Sequence, residues 1–410
     1  MPWVFLMMGE AMSDGSPPDS EYSSAFGPEP EPAGPEAAAG PRRAQPGSAR
    51  KGIRWGRIVI ITIAVLFATV AAAVGYFGLK LNQSVTSISR DSSLLPTGSR
   101  PPSASNTVNA TYTAMNILLI GTDSRGSDQG RSDTFIILHI SADRKSVYLV
   151  SFPRDMWVTV PGYGLNKINA GYSFGGSALA VSTIEALIGA RIDHVVVTDF
   201  SNFIQLVDTV GPITVDNPVA STRIATDQHG VKYNFMTKGP LQLTDGNMAL
   251  AYVRERENLP NGDLDRTLRQ RAFIKALALK VATPDVLANP VKLNAVMETV
   301  GKYVSVDPGM TNNVIYSLGV SMTGITNASQ IHMVMAPISG FGKSPDGTQD
   351  IDIVDKAGVT ALGKALQNDT MATFVASHPS TEYGYTPSPT PAASTTATAR
   401  ATATATKKKT

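Results

Sequence analysis

The sequence predicts an α/β protein: a layered α-β-α domain around one mixed sheet, preceded by a single transmembrane helix. Three observations predict it. Apolar strand-like runs alternate with helix-spaced segments between residues 115 and 376, which argues for layers around one sheet. The uncharged run Ile58 to Leu79 is 79−58+1 = 22 residues long, and about 20 apolar residues span a bilayer core. The segments on either side of the domain, 81–114 and 377–410, are rich in Ser, Thr and Pro, the composition of linkers and tails.

Residues 1–52 are rich in Pro, Gly, Ser, Ala and Glu without a hydrophobic period, so a disordered cytoplasmic tail is expected. The opening MPWVFLMM is too short to span a bilayer, and Met12 is the alternative start. The membrane helix is expected within 53–80. Arg42, Arg43, Arg50, Lys51, Arg54 and Arg57 precede the run, and only Lys80 comes closely after it. Positive charge stays inside, so the N-terminus is cytoplasmic and everything after Lys80 is extracytoplasmic. A cleaved signal peptide is the rival. Its core is typically shorter, roughly 7–15 residues, and nearer the start, so a retained anchor is favoured. Residues 81–114 read as an extracytoplasmic linker, 115–376 as the globular domain and 377–410 as a disordered Thr/Ala/Pro-rich tail.

Within the domain, MNILLIG, TFIILHI and VYLVSF read as buried strands. Pro153 ends the third and leaves Arg154 and Asp155 at its tip. Gly176 to Leu187 has helical spacing. HVVVTDF is a strand, Ser201 to Val210 a helix closed by Gly211, and ITVDN another strand. Thr244 or Asp245 caps the short helix DGNMALAYV. A long helix runs from about Asp265, its expected N-cap, to Val281. A further helix, the strand HMVMAP and a last helix from Val354 to Leu366 complete the domain.

Composition excludes several chemistries. A net charge of +2 gives no case for nucleic-acid binding. With no cysteine there is no disulfide, thiol nucleophile or thiolate metal site. The five histidines have no HExxH spacing, so zinc is not expected. Walker and kinase motifs are absent from the sequence.

The chemistry-bearing stretch is Tyr252 to Arg271, YVRERENLPNGDLDRTLRQR. A solvated, salt-bridged helix start is the ordinary reading of such a run. The spacing argues for more. Arg266, Arg269 and Gln270 fall at i, i+3 and i+4, on one expected helix face, with Asp263 placed to orient Arg266. Leu268, Phe273, Ile274 and Leu277 form the expected core stripe. Arg254 and Arg256 are two apart, so in an extended segment they project together. A second cluster lies upstream in GTDSRGSDQGRSD and SFPRD: Asp123, Arg131, Asp133 and Arg154, all at expected strand ends, where α/β folds bind ligands. Two carboxylates suit magnesium, which takes its other contacts from waters and phosphate. So many guanidinium groups fit a pyrophosphate better than one phosphate.

Gly121, Asp123, Arg125, Arg131, Asp133, SFPRD, Lys167–Asn169 and YVRER…DLDRTLRQ together resemble the LytR-CpsA-Psr family of bacterial cell-wall assembly proteins, over about residues 116–280. The resemblance implies an extracytoplasmic phosphotransferase. Such an enzyme moves a glycopolymer from an undecaprenyl-pyrophosphate carrier to peptidoglycan through a phosphodiester. It implies that Asp123 and Asp133 hold Mg2+, with Mn2+ as the alternative ion. It also implies that Arg131, Arg154, Arg254, Arg256, Arg266 and Gln270 grip the pyrophosphate, with Asp263 as orienter and Arg125 and Arg269 as further contacts. Arg131, Arg154 and Asp133 would be the catalytic set, with the base left open between Asp133 and Asp123. A polyprenyl tunnel would be lined by Leu187, Phe200, Phe203, Ile204 and Leu206. Two departures are visible: a short loop between Asp123 and Arg131, and Phe152 where a smaller apolar residue is common. The competing readings are a transcriptional attenuator, a polyprenyl-pyrophosphate hydrolase and a lipid-binding module without turnover.

Overall fold

The structure is a computed structural model and describes residues 55–104, 111–123, 131–226 and 230–379. The chain divides into two units, residues 1–61 and 62–410. Of the first only the start of a helix is described, and every later element belongs to the second. The elements run in this order: α1 (Trp55–Thr86), β1 (Ser89–Arg90), β2 (Met115–Asp123), β3 (Arg131–Ile140), β4 (Val147–Phe152), β5 (Trp157–Val160), β6 (Gly164–Lys167) and α2 (Ile168–Ile188). Then come β7 (His194–Asp199), α3 (Phe200–Val210), β8 (Ile213–Asn217), β9 (Ala225–Thr226), β10 (Lys232–Tyr233), β11 (Gly239–Leu243), α4 (Gly246–Arg254) and α5 (Asp263–Val281). The last part holds α6 (Pro284–Leu287), α7 (Pro290–Tyr303), β12 (Val304–Val306), α8 (Asn312–Ser321), β13 (Ile331–Met335), β14 (Ile338–Lys343), β15 (Asp350–Val354), α9 (Lys356–Gln367) and α10 (Met371–Ser377).

The expected mixed sheet is present. Seven strands lie in the order β1-β12-β7-β2-β3-β4-β13. β2, β3 and β4 form an antiparallel meander, while β7 and β13 flank it in parallel. All six residues of β4 are buried, as a strand covered on both faces requires. On one face α2, α9 and α10 close a core around Leu118, Ile120, Phe135, Ile137 and Val150. On the other lie α3, α5 and α7. Burying each such side chain contributes about 1.5–3 kcal/mol. A smaller core joins β8, α3, α4 and α5 around Phe235, Tyr252 and Phe273.

The β2–β3 register carries a bulge. Thr122 faces Ser132 and Gly121 faces Thr134, which leaves Asp133 without a partner across the ladder. Bulges re-aim a side chain beside functional sites.

Several expectations change. The segment read as a linker, 81–114, holds the end of α1 and β1, which pairs with β12 at the sheet edge. Ser84 bonds Asn294 of α7, and Leu94 enters the core. Short Ser and Asn side chains can pack and cap as well as link, and tertiary contacts decide which. Helix α5 is buried all round from Leu264 to Phe273, so it has no separate core stripe. It begins at Asp263, not at an Asp265 cap. Asp265 instead accepts from the Asn261 backbone N–H and Nδ2 at 2.8 and 3.2 Å. Two hairpins, β5–β6 and β14–β15, have no counterpart among the expected elements. Among the described residues no helix is long and apolar enough to cross a membrane. The side chains of 55–67, where the apolar run begins, lie outside them, as do the tails 1–52 and 380–410.

Candidate active site

The site is built where the meander's strand ends meet the start of α5. After β4, Pro153 accepts a hydrogen bond from the Met156 N–H at 3.2 Å, closing a turn that presents Arg154 and Asp155. The Lys167–Asn169 segment holds this turn from the other side. Lys167 Nζ donates to Asp155 Oδ1 at 2.7 Å. The backbone N–H groups of Ile168 and Asn169 donate to the carbonyls of Met156 and Arg154, at 2.8 and 3.3 Å. Two motifs thirteen residues apart in sequence, counted 167−154, thus form one rigid tip.

Arg154 reaches α5. Its Nε lies 3.3 Å from Asp263 Oδ1, and the same oxygen lies 2.5 Å from an Arg266 terminal nitrogen. One carboxylate therefore holds two guanidinium groups at a single point. All three side chains are under one-fifth exposed. Asp155 Oδ2 lies 3.7 Å from the same Arg154 nitrogen and is paired with Lys167, so the cluster sets three cations against the carboxylates of Asp155 and Asp263 and keeps positive potential. The start of α5 adds to it. Gly262 precedes the helix with φ 53°, and no side chain caps the first N–H groups. A helix start of this kind is an anion site, and guanidinium forks match phosphate oxygens.

One turn further, Gln270 ties the helix to the sheet. Thr134 Oγ1 donates to its Oε1 at 3.0 Å, and its Nε2 donates to the Val253 carbonyl at 3.3 Å. Behind that contact lies an apolar cavity of about 200 Å³ between the sheet and α3, α5 and α7. Thr134 and Gln270 line it together with Leu119, Ile120, Val196, Leu206, Phe273 and Leu277. Cations and an apolar hole thus adjoin through one helix. Of the expected tunnel residues Leu206 is there. Leu187 packs instead against the core on the sheet's other face, and the side chains of Phe200, Phe203 and Ile204 lie outside the described residues.

The two charged clusters lie together along the backbone, since Asp133 is the neighbour of Thr134, which touches Gln270. Arg125 lies outside the described residues, as do the side chains of Asp123, Arg131 and Asp133. Their backbone puts Asp123 opposite Arg131 at the end of β2 and β3. Among the described residues no group of three His, Cys, Asp or Glu could hold a metal. Carboxylates are the hard-oxygen donors that magnesium takes.

Three arginines stand elsewhere than expected. Arg269 is fully buried away from Arg266. Its guanidinium donates to the carbonyls of Val219 and Phe235 and to Ser221 Oγ, and stacks over Tyr252 and Phe235. The i, i+3 rule failed because the small β8–β11 lobe covers the flank of α5. Arg254 ends α4 and Arg256 lies in the turn after it, so they do not share the face of an extended segment. Arg254 is half-buried and Arg256 is exposed. Arg271, to which no role was given, is also fully buried. The described residues offer its guanidinium no acceptor, and burial pulls it down to about 9.

Sequence reasoning missed Thr134 as the residue that bonds Gln270. No spacing rule marked it, since the bulge at Asp133 breaks the alternation from which its side could be read. It also left Lys167 without a role, although the charge complement to Asp155 was in view.

The chain matches the model of the LytR_cpsA_psr family over residues 79–367. It is 30% identical over 308 residues to a polyisoprenyl-teichoic acid–peptidoglycan teichoic acid transferase, TagU, of Oceanobacillus iheyensis, covering 73% of this chain and 88% of that protein. The TagU of Halalkalibacterium halodurans is 35% identical over 193 residues, 47% of this chain and 60% of its own length. Among solved structures, B. subtilis TagV superposes with a TM-score of 0.53 at 26% identity, covering 63% of this chain and 97% of TagV. TagT bound to LI-WTA gives 0.51 at 24% identity, over 68% and 98%, a likeness of fold.

Proposed function

The chain belongs to the LytR-CpsA-Psr family, and from that premise we propose that it is a phosphotransferase attaching a glycopolymer to peptidoglycan, with an undecaprenyl-pyrophosphate-linked glycan as donor. The observation that carries this reading is the pairing of Arg154 and Arg266 on Asp263 beside an apolar cavity that begins at Thr134 and Gln270. A lipid pyrophosphate has those two parts in that order. Its charged head meets guanidinium groups and the start of α5, and the first part of its chain enters the cavity. The names of the TagU relatives point to the same substrates.

The chain's residues act by position and charge. Arg154 and Arg266, with Arg131, take the non-bridging oxygens as negative charge builds there, which is the main work in phosphoryl transfer. Asp263 keeps the two guanidinium groups aimed. Gln270 sets the boundary between head and tail. Asp123 and Asp133 would hold Mg2+, and the ion would neutralise charge on the pyrophosphate. Arg254, at the end of α4, and Arg256, just after it, would add further contacts to the pyrophosphate. We further place the domain outside the cell on a single helix over 58–79, a reading supported by the length of the run and by the six basic residues before it.

The test is incubation of the purified domain with a labelled lipid-linked glycan and peptidoglycan oligomers. Label joined to peptidoglycan supports transfer. Label released as free glycan phosphate, with or without oligomers, would make the protein a hydrolase. A reporter fused at the C-terminus that is active only in the cytoplasm would overturn the orientation.

A further inference from the structure

A third carboxylate, beside those of Asp155 and Asp263, faces the same charged point from an element the motifs do not reach. Hairpin β14–β15 lays Asp352 against the tip after β4. The Asp352 backbone N–H donates to the Asp155 carbonyl at 2.9 Å, and Met156 and Asp352 form a parallel bridge. The residue is buried. No hydrogen bond or ion pair reaches its carboxyl group among the described residues. Around it stand Asp155 and Asp263, with Lys167 and Arg154 as the facing cations. On its own hairpin the charged neighbours are Lys343 and Asp350, which pair with each other at 2.6 Å. Phe341 sits directly across the ladder from Asp352, on the same face, with its ring exposed.

An ordinary buried carboxylate is held by donors. This one has none among the described residues, faces two others, and sits beside Arg154. Structurally that arrangement is a cost, and groups kept at such a cost cluster at functional sites. Its surroundings push the carboxyl up to about 7, burial first and the Asp155 and Asp263 charges next. That is where a proton acceptor working near neutral pH belongs.

We propose that Asp352 is the general base of the transfer reaction, taking the proton from the peptidoglycan hydroxyl as that oxygen attacks. The inference rests on the transferase reading. The hydroxyl oxygen forms a bond to the phosphorus that carries the glycan. The bond from that phosphorus to the lipid phosphate oxygen breaks, and its electron pair leaves with the lipid phosphate. The hydroxyl proton goes to a carboxylate oxygen of Asp352 and then to solvent. The exposed Phe341 ring beside the carboxylate gives the acceptor sugar an apolar face to rest on, as aromatic side chains do for sugar rings.

The test compares wild type with Asp352→Asn and Asp352→Glu in the same transfer assay from pH 5.5 to 8.5. Wild-type kcat is expected to rise with pH through an acid limb near neutrality. Asp352→Asn should lose about 10²–10³-fold in kcat, with KM for the lipid-linked donor changed less than about threefold, and should lose the limb. Asp352→Glu should restore part of the rate. The stability readout has the opposite sign. The folded carboxyl titrates near 7 against 3.8 in its ordinary state. Between those values the folded chain holds a proton that the unfolded chain has lost, so stability falls as pH rises through that window. Asp352→Asn should therefore melt higher than wild type at pH 8, and the gain should vanish toward pH 4. A more stable but inactive variant marks a base and no scaffold.

Asp352→Asn with wild-type kcat and an intact acid limb would overturn the proposal. So would a loss confined to donor KM. Should Asp352→Asn not fold, Asp352→Ser takes its place, with added formate as the probe: recovery of rate supports the base, and no recovery overturns it. If wild type itself moves no label to peptidoglycan at any pH, the transferase reading falls and this inference falls with it. If wild type transfers and the Asn variant matches it, only this inference falls.

Discussion

Arg266 and Arg269 stand three residues apart on one helix, and the chain uses them for different ends. Arg266 is held by a carboxylate that it shares with Arg154. Arg269 is caged by two carbonyls, a hydroxyl and two aromatic rings. Carbonyls and rings hold a guanidinium locally and tie the β8–β11 lobe to α5. A shared carboxylate leaves positive potential over, which an anion can use. The difference teaches that a guanidinium's task is set by its acceptors, and sequence spacing does not reveal those. Arg271 is a third case: equally buried, with no acceptor among the described residues.

Substitutions can break this comparison. The largest effect is expected at the site. Arg266→Ala should cut transfer by about 10²–10³-fold, the usual loss for one preorganised donor, while its thermal melt stays within a few degrees of wild type. Wild-type transfer by that variant would remove Arg266 from the machinery. Arg269→Ala should do the reverse. It strips three acceptors and two ring contacts inside a core, and should lower unfolding free energy by about 2–4 kcal/mol in urea melts. Its transfer rate per folded molecule should hold. If rate falls and stability does not, the assignments of the two arginines are exchanged.

Arg271→Met should raise stability by about 1–3 kcal/mol, since a buried charge with no partner among the described residues is replaced by packing. The sign comes from titration. The folded guanidinium is pulled by burial to about 9, well below its ordinary range, so its penalty is full below pH 9 and fades as pH rises above it. Urea melts at pH 7.5 test this, and a loss of stability would mean that Arg271 has an anionic partner. The smallest effect belongs to Thr134→Val. It leaves Gln270 Oε1 without the hydroxyl donor and should cost about 1 kcal/mol, seen as a loss of up to about tenfold in donor affinity.

Much of the fold was legible. The meander β2–β4, α3, α4 and α9 arise from runs of Ile, Leu and Val, from Gly211 and from the Asp245 cap, which does accept from the Met248 N–H at 3.0 Å. The hairpin β14–β15 was not legible. Its strand ISGFGK carries two glycines and a lysine, weak β-formers whose pairing is decided by cross-strand partners. That blind spot is also why Asp352 was missed: no spacing rule singles out one of the three aspartates in DIDIVD. The segment 81–104 was misread for a related reason, because polar composition marks both linkers and packed edges.

By itself the sequence determined the layered α/β class and the order of the charged motifs. Those depend on hydrophobic period and on residue chemistry, which are local. Only the tertiary structure decided which arginine of α5 pairs with Arg154, where the apolar cavity lies and that a carboxylate from the last hairpin comes to the same point. Those depend on which surfaces of distant segments cover one another, and burial by a remote lobe or hairpin leaves no periodic trace in the segment that is covered.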